Sequence, residues 1–186
     1  MNPALLAWAY GLTRDMKLPQ DEPMRALEAR YKGFPAAQQP PMVKIGANLA
    51  GETFWHGAKM DEWAHRWVRY VTDGQASFGS TAMNDSGSMV ALAALTRAGR
   101  ADWNRALVLR TGSNFDMQAP DETAEQSANR EKHGGYTAYE PSLESAYQVG
   151  SRVVKALVAG WPQYEGTIPA AGPLPATAAL GMIGKK

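Results

Sequence analysis

A short, unbroken apolar run is the feature that most constrains how this chain folds. Residues 106–111 read ALVLRT, and Gly112 follows them. Continuous apolar strands of this kind are typical of parallel sheets, because helices cover both faces of such sheets. The run therefore predicts a buried parallel strand that needs neighbouring strands at its edges.

Two further strands and the helices around them follow from the apolar periodicity. The strands are expected over residues 42–49 and 77–82, and a glycine-rich loop is expected over 131–139. Strands that alternate with helices predict an α/β fold with a mostly parallel sheet. Helices are expected from Asn2 to near Asp15 and over residues 24–32, 59–72, 85–98, 122–130 and 141–161, with 85–98 buried.

The composition fits one globular domain. The chain has 186 residues, of which 45% are hydrophobic and 20% charged, as in ordinary globular proteins. We expect residues 1–165 to form the domain. Residues 166–186 are rich in Pro, Gly and Ala, and we expect them to form an irregular tail.

Charge and cysteine usage exclude several classes of function. The 19 Lys and Arg residues balance 18 Asp and Glu residues without a basic stripe, so nucleic acid is not an expected partner. The absence of cysteine excludes disulfides and thiolate chemistry. No apolar run reaches the roughly 18–20 residues of a spanning helix. The N-terminus lacks the basic region of a signal peptide. A soluble module without a membrane span is expected, and its compartment stays open.

The candidate binding residues follow the predicted strands. In open α/β sheets, ligands bind beyond the carboxyl ends of the strands. An aromatic ring, polar side chains and an amide at three neighbouring strand ends suit a flat heterocycle attached to a sugar. Each group also has a structural reading, as core aromatics, a helix cap or a turn. The groups are Phe54 with Trp55, Met83 with Asn84 and Asp85, and Ser113 with Asn114.

The histidines do not predict a metal site. His56, His65 and His133 are scattered and lack carboxylates at ligand spacing. His56 lies beside the aromatic pair and could line a pocket, whereas His133 could belong to a loop over the ligand. No phosphate-binding glycine motif occurs either, so no cofactor is expected.

Four sequence blocks together resemble the purine nucleoside permease family. They are GETFWHGAKMDEWAHRW, STAMNDSGSMVAL, RALVLRTGSNFD and EKHGGYTAYEPSLESAYQVGS. The region from Asn2 to Trp161 is similar to the C-terminal half of that family, which has a nucleoside-phosphorylase-like fold. The resemblance implies a partial three-layer α/β/α sandwich. It also implies purine nucleoside binding in nucleoside uptake, as a binding or accessory protein, since no segment spans a membrane.

More distantly, the three strand-end segments resemble those of phosphorylases and nucleosidases that act on purine nucleosides. This second resemblance implies roles for the strand-end residues. The Gly51–Phe54 segment is similar to one that places an aromatic ring against the base. Met83 and Asn84 match a Met-Glu pair that holds the ribose. The segment from Arg110 to Asn114 is similar to an Arg-x-x-Ser-Asp segment, whose Asp faces the purine N7.

Two amides stand where these enzymes have carboxyl groups. Asn84 replaces the ribose carboxylate, and Asn114 replaces the acid that faces N7. An amide donates a hydrogen bond but has no proton to give, and general acid catalysis contributes about 10²–10⁴-fold. The sequence therefore predicts retained recognition and weak chemistry. Asp85, Asp116 and Asn114 are the remaining catalytic candidates.

Two other functions stay open at this point. One is an enzyme, a nucleosidase or a phosphorylase that cleaves the N-glycosidic bond, and only the phosphorylase would need phosphate. The other is a truncated product or an interaction module without activity of its own. The resemblance implies that an N-terminal half of the parent fold carries the phosphate-binding glycines and arginine and further central strands. A homo-oligomer or that missing half is therefore an expected partner, and the full-length family pattern allows a periplasmic or extracellular location.

Overall fold

The computed structural model describes residues 1–174, with only the backbone of 131–134. In this part of the chain, two short strands, β1 (Ala47–Ala50) and β2 (Phe78–Ala82), lie among helices. Of the expected tail, residues 166–174 contain neither helix nor strand, and 175–186 lie outside the described range. The helices are α1 (Pro3–Thr13), α2 (Glu22–Arg30), α3 (Ala58–Val71), α4 (Asp85–Arg97), α5 (Ala124–Gly134), α6 (Tyr139–Ala159) and α7 (Trp161–Tyr164), with 3₁₀ turns over Pro35–Gln38 and Trp103–Arg105.

The two strands pair in parallel, and α3 connects them. Parallel neighbours cannot be joined by a tight turn, so a crossover helix between them is expected. Ala64 and Val68 lie four residues apart on one face of α3, and both pack against Phe78 of β2. The predicted α/β order of strand, helix and parallel strand is confirmed for this unit.

The prediction of a third strand over residues 106–111 is wrong for the described structure. Ala106 is extended, with φ −101° and ψ 136°, but an extended segment becomes a strand only beside another strand. Within residues 1–174, β1 and β2 pair only with each other. Leu109 contacts α6 instead, where its Cδ2 lies 3.6 Å from the position that a β-carbon on Gly150 would take. The sheet is therefore narrower than expected.

The prediction that the helix after β2 is buried is also wrong. No residue of α4 is buried, although most of its sequence is apolar. Val90 remains 68% exposed and Leu95 44% exposed. Without a third strand, the sheet is too narrow to give α4 a surface to pack on.

The helix boundaries follow local signals. Asn2 caps α1, with its Oδ1 accepting from the Ala4 amide at 2.9 Å. A capping box between Thr123 and Gln126 starts α5, which continues to Gly134, and Gly135 follows it with φ 76°. The expected glycine-rich loop is thus shorter than predicted. Within residues 1–174, no helix combines the length and apolarity that crossing a bilayer requires.

A second apolar cluster joins α2 to the segment before α5. Leu27, Tyr31 and Ala119 are buried there. The Tyr31 ring lies 4.0 Å from that of Phe115, and its hydroxyl donates to the Met117 carbonyl at 2.7 Å. Helix α2 and Tyr31 therefore pack against residues 115–119, which follow the third predicted strand.

Candidate functional site

The parallel ladder brings the predicted site segments to one edge of the sheet. The Gly51 amide donates to the Ala82 carbonyl at 3.0 Å, which sets the loop after β1 beside the end of β2. Arg110 joins them from the third segment, because its guanidinium binds Asn84 and Asp85. We call the residues 51–57, 83–85 and 110–116 the strand-end site.

A polar network runs from the middle of the sheet to this edge. Asn48 and Ser80 are paired in the ladder, and the Ser80 hydroxyl donates to Asn48 Oδ1 at 3.0 Å. The Asn48 amide nitrogen in turn donates to Asp85. Arg110 meets both carboxylate oxygens of Asp85, with Nε 2.5 Å from Oδ2. The network therefore fixes Asp85 between the strand interior and the third segment.

Arg110 is the cation of the strand-end site. Its hydrogen bond to Asp85 raises the pKa of the guanidinium above its usual value. Its Nη2 also lies 2.5 Å from Asn84 Oδ1. Asn84 precedes α4, but its side chain does not cap that helix. The reading of Asn84 as a helix cap is therefore not realised, and Asn84 contacts Arg110 instead.

The two candidate aromatic residues differ in their surroundings. Trp55 packs against the core cluster of α3 and β2, with its ring 6.1 Å from that of Phe78. Phe54 is 49% exposed at the same loop. Met83, beyond β2, is 55% exposed. Phe54 is thus the aromatic ring available to a ligand, whereas Trp55 holds the loop on the core.

Ser113 and Asn114 form local hydrogen bonds in the third segment. The Ser113 hydroxyl donates to Asn114 Oδ1 at 3.4 Å, and Asn114 Nδ2 donates to the Phe115 carbonyl at 2.9 Å. Ala138, just before α6, donates its amide to the Ser113 carbonyl at 3.1 Å. The start of α6 therefore lies beside the strand-end site.

Two carboxyl groups meet where α3 begins. The side chains of Asp61 and Asp116 are hydrogen-bonded to each other. Burial, followed by the charge of Asp61, raises the pKa of Asp116 to about 7. Burial also raises the pKa of Asp61, and His65 Nε2 lies 3.5 Å from its carboxylate. The pair therefore holds a proton as the pH rises to about 7, because two close carboxyl groups do not both ionise readily.

Gly57 allows the loop after β1 to pack closely against the start of α5. Its φ is +118°, and a β-carbon there would lie 2.9 Å from Ala124 Cβ. The Gly57 amide donates to the Asp116 carbonyl at 2.9 Å, and the next amide, of Ala58, donates to Gln118 Oε1 at 3.0 Å. Only glycine combines that backbone angle with so little space. Gly57 therefore ties the loop after β1 to the segment before α5.

His56 lies in the same loop, and its ring nitrogens are shielded from solvent. Both ring nitrogens are buried without a hydrogen-bond partner in the described part of the chain, and burial lowers the pKa of the ring. Its charged neighbours are Glu122 and Arg130. The side chain of His133 lies outside the described residues.

Sequence reasoning missed three features of the site. They are the hydrogen bonds of Asn48, the hydrogen bond from Arg110 to Asn84, and the Asp61–Asp116 pair. The spacing of Asp61 and His65, four residues apart on α3, is a signal that the sequence carries. The Asn48–Ser80 contact depends on the strand register, and the Arg110 contacts depend on side-chain conformation. Neither can be read from the order of residues.

Comparison with known proteins gives a family. The purine nucleoside permease (NUP) family matches residues 1–169. A probable purine nucleoside permease of Schizosaccharomyces pombe is 24% identical over 161 residues, which are 87% of this chain and 45% of the relative. A purine nucleoside permease of Candida albicans is 26% identical over 126 residues, 68% of this chain and 30% of the relative.

The chain spans less than half the length of these relatives. No solved structure matches it. The family match nevertheless extends from the first helix through the strand-end site to the residues after α7. The chain therefore belongs to the purine nucleoside permease family.

Proposed function

We propose that this chain binds purine nucleosides at the strand-end site, in the context of nucleoside uptake. The observation that carries the proposal is the meeting of three segments at one sheet edge. The Gly51–Ala82 hydrogen bond sets the loop that carries exposed Phe54 beside the end of β2, where exposed Met83 and polar Asn84 follow. The Arg110–Asn84 hydrogen bond adds the third segment. A ring for the base and an amide for the sugar then lie at neighbouring positions.

The relatives' names support the choice of ligand. Both are named as purine nucleoside permeases, and this chain matches their family over most of its length. We also propose that the α/β unit is part of a nucleoside-phosphorylase-type sandwich. Its parallel β1–β2 pair with a helical crossover is compatible with that architecture, and strands from a partner would widen the sheet.

Binding without efficient catalysis is the expected activity. Asn84 and Asn114 carry amides, which can hydrogen-bond to a sugar or a base but cannot protonate a leaving group. Asn84 meets the Arg110 guanidinium, and Asn114 donates to the Phe115 carbonyl within its own loop.

One observation favours the alternative of N-glycosidic bond cleavage. Asp116 lies two residues after Asn114, and its pKa of about 7 matches a general acid at neutral pH. That carboxyl group is hydrogen-bonded to Asp61, so it would have to turn away from Asp61 to reach the purine of a nucleoside. Release of free base from adenosine, guanosine or inosine, with and without phosphate, tests this. Turnover of roughly 1–10³ per second would establish an enzyme.

Calorimetric titration with the same three nucleosides tests binding. We expect saturable binding that Phe54→Ala weakens by about tenfold or more, because the exposed ring is lost from the base position. Tyr70→Ala is the matched control. Tyr70 is 76% exposed near the far end of α3, which runs back from the strand-end site. Failure of all three nucleosides to bind a folded protein below millimolar concentrations would refute the proposal.

A further inference from the structure

Arg110 determines which way the Asn84 amide faces. A guanidinium carries only hydrogen-bond donors, so the atom of Asn84 that meets it must be the oxygen. Asn84 Oδ1 accordingly lies 2.5 Å from Arg110 Nη2. The amide nitrogen of Asn84, with its two donors, is then turned away from Arg110.

The direction of Arg110 is itself fixed by the network behind it. Asp85 accepts from Arg110 through both oxygens, and it also accepts from Asn48. The Ser80 hydroxyl donates to the side-chain oxygen of Asn48 at 3.0 Å. The side chains of Arg110 and Asp85 are 33% and 19% exposed, so both are partly shielded from solvent. This series of hydrogen bonds from Ser80 through Asn48 and Asp85 to Arg110 is satisfied by only one orientation of each side chain.

We propose that Arg110 is a specificity-determining residue, which makes Asn84 a hydrogen-bond donor toward the ligand. This rests on the proposed function, in which Asn84 faces the sugar. A carboxylate at position 84 would accept hydrogen bonds from sugar hydroxyls. The oriented amide instead donates to a sugar oxygen. The site therefore selects for an acceptor atom on the sugar and does not require a hydroxyl proton there.

Sugar-methylated nucleosides distinguish these two modes of recognition. A 2′-O-methyl or 3′-O-methyl group keeps the acceptor oxygen and removes the proton. At the sugar position facing Asn84, we expect the wild-type chain to bind the methylated nucleoside and its parent with the same affinity. The isosteric variant Asn84→Asp should bind the parent but reject the methylated form by about tenfold or more, because two acceptors then face each other.

Two Arg110 variants test the origin of this preference. Arg110→Lys keeps a donor beside Asn84 Oδ1, and the methylated and parent nucleosides should still bind alike. Arg110→Leu frees the Asn84 amide to turn. The affinity for the methylated nucleoside should then fall by about threefold relative to the parent, because the hydroxyl of the parent can bind either the oxygen or the nitrogen of the amide. Equal rejection of both methylated nucleosides by the wild type and Asn84→Asp would overturn the proposal.

A ligand-free measurement separates this inference from the proposed function. The side-chain amide of Asn84 can be followed by nitrogen-15 relaxation in a chain of 20.1 kDa. We expect a rigid amide in the wild type and Arg110→Lys, and a mobile one in Arg110→Leu. Equal mobility in the wild type and Arg110→Leu would overturn the role of Arg110. A rigid amide in a chain that binds no nucleoside would refute only the proposed function.

Discussion

Helices α3 and α4 lie before and after the same strand, β2, yet they are packed very differently. α3 buries Ala64 and Val68, which are 0% and 3% exposed, against Phe78. α4 buries no residue, and its Val90 is 68% exposed. The sequence of α4 is the more apolar of the two. Apolar composition thus does not decide burial here, because burial also needs an opposing surface.

The difference divides the fold into a packed region, the β1–α3–β2 unit, and an open region around α4, whose side chains are not covered. The β1–α3–β2 unit has its own core and positions the loop after β1. The surface around α4 has no opposing layer within residues 1–174. The strand-end site lies at the boundary, since Asn84 and Asp85 start α4 and Trp55 belongs to the packed core.

The largest contrast is expected from one substitution made in both helices. Val68→Asp places a charge in the core and should abolish folding, whereas Val68→Ala should cost about 1–3 kcal/mol. Val90→Asp on α4 should change the free energy of unfolding by less than about 0.5 kcal/mol. Urea denaturation at a protein concentration too low for self-association measures all three. Equal destabilisation by the two Asp variants would mean that α4 is covered in solution.

A glycine in each region gives the next largest contrast. Gly57→Ala should destabilise by about 2 kcal/mol, because φ is +118° there and Ala124 lies 2.9 Å from the new β-carbon. Gly87 lies within α4, and its β-carbon would meet nothing within 4 Å. Gly87→Ala should therefore stabilise by roughly 0.5–1 kcal/mol through helix propensity. Thermal unfolding compares them, and a stabilising Gly57→Ala would contradict the strained geometry.

The packed region should also respond to pH. The pKa of Asp116 is raised from 3.8 to about 7, so the native state binds a proton over a window in which the unfolded chain has lost it. The stabilisation is fully present below 3.8 and is lost as the pH rises through about 7. We expect a loss of roughly 1–2 kcal/mol, less than the full shift implies, because the proton is shared with Asp61.

Denaturation at several pH values checks this loss. Asp116→Asn is the matched variant, since its amide keeps the size of the side chain and does not titrate. It should flatten the pH dependence within the same window. An unchanged slope in Asp116→Asn would assign the effect to other groups.

The smallest expected effect is on self-association through the open region. Exposed apolar side chains such as those of α4, together with the segment 106–111 that is in no strand, favour contact with a second copy. We expect a dimer or larger species in light scattering, and Val90→Asp should weaken it by several-fold. A monodisperse monomer that melts cooperatively over a wide concentration range would contradict this.

The sequence predicted the packed region better than the open one. The cap at Asn2 and the helix expected over 59–72 rest on local signals, and the structure has Asn2 capping α1 and α3 over Ala58–Val71. The strand expected over 106–111 depends on a neighbour that no local pattern encodes. The meeting of the segments that follow β1 and β2 was also predictable, because parallel strands end at a common edge. The Arg110–Asn84 contact was not, because it depends on how long side chains turn.

The bond from the Tyr31 hydroxyl to the Met117 carbonyl has a consequence for synthesis on the ribosome. Its two ends are 86 residues apart in sequence. At about 5–20 residues per second, α2 is made roughly 4 to 17 seconds before the segment it packs on. Leu27 and Tyr31 stay uncovered during that delay, within reach of a chaperone. Slower translation between these points should increase aggregation of the nascent chain.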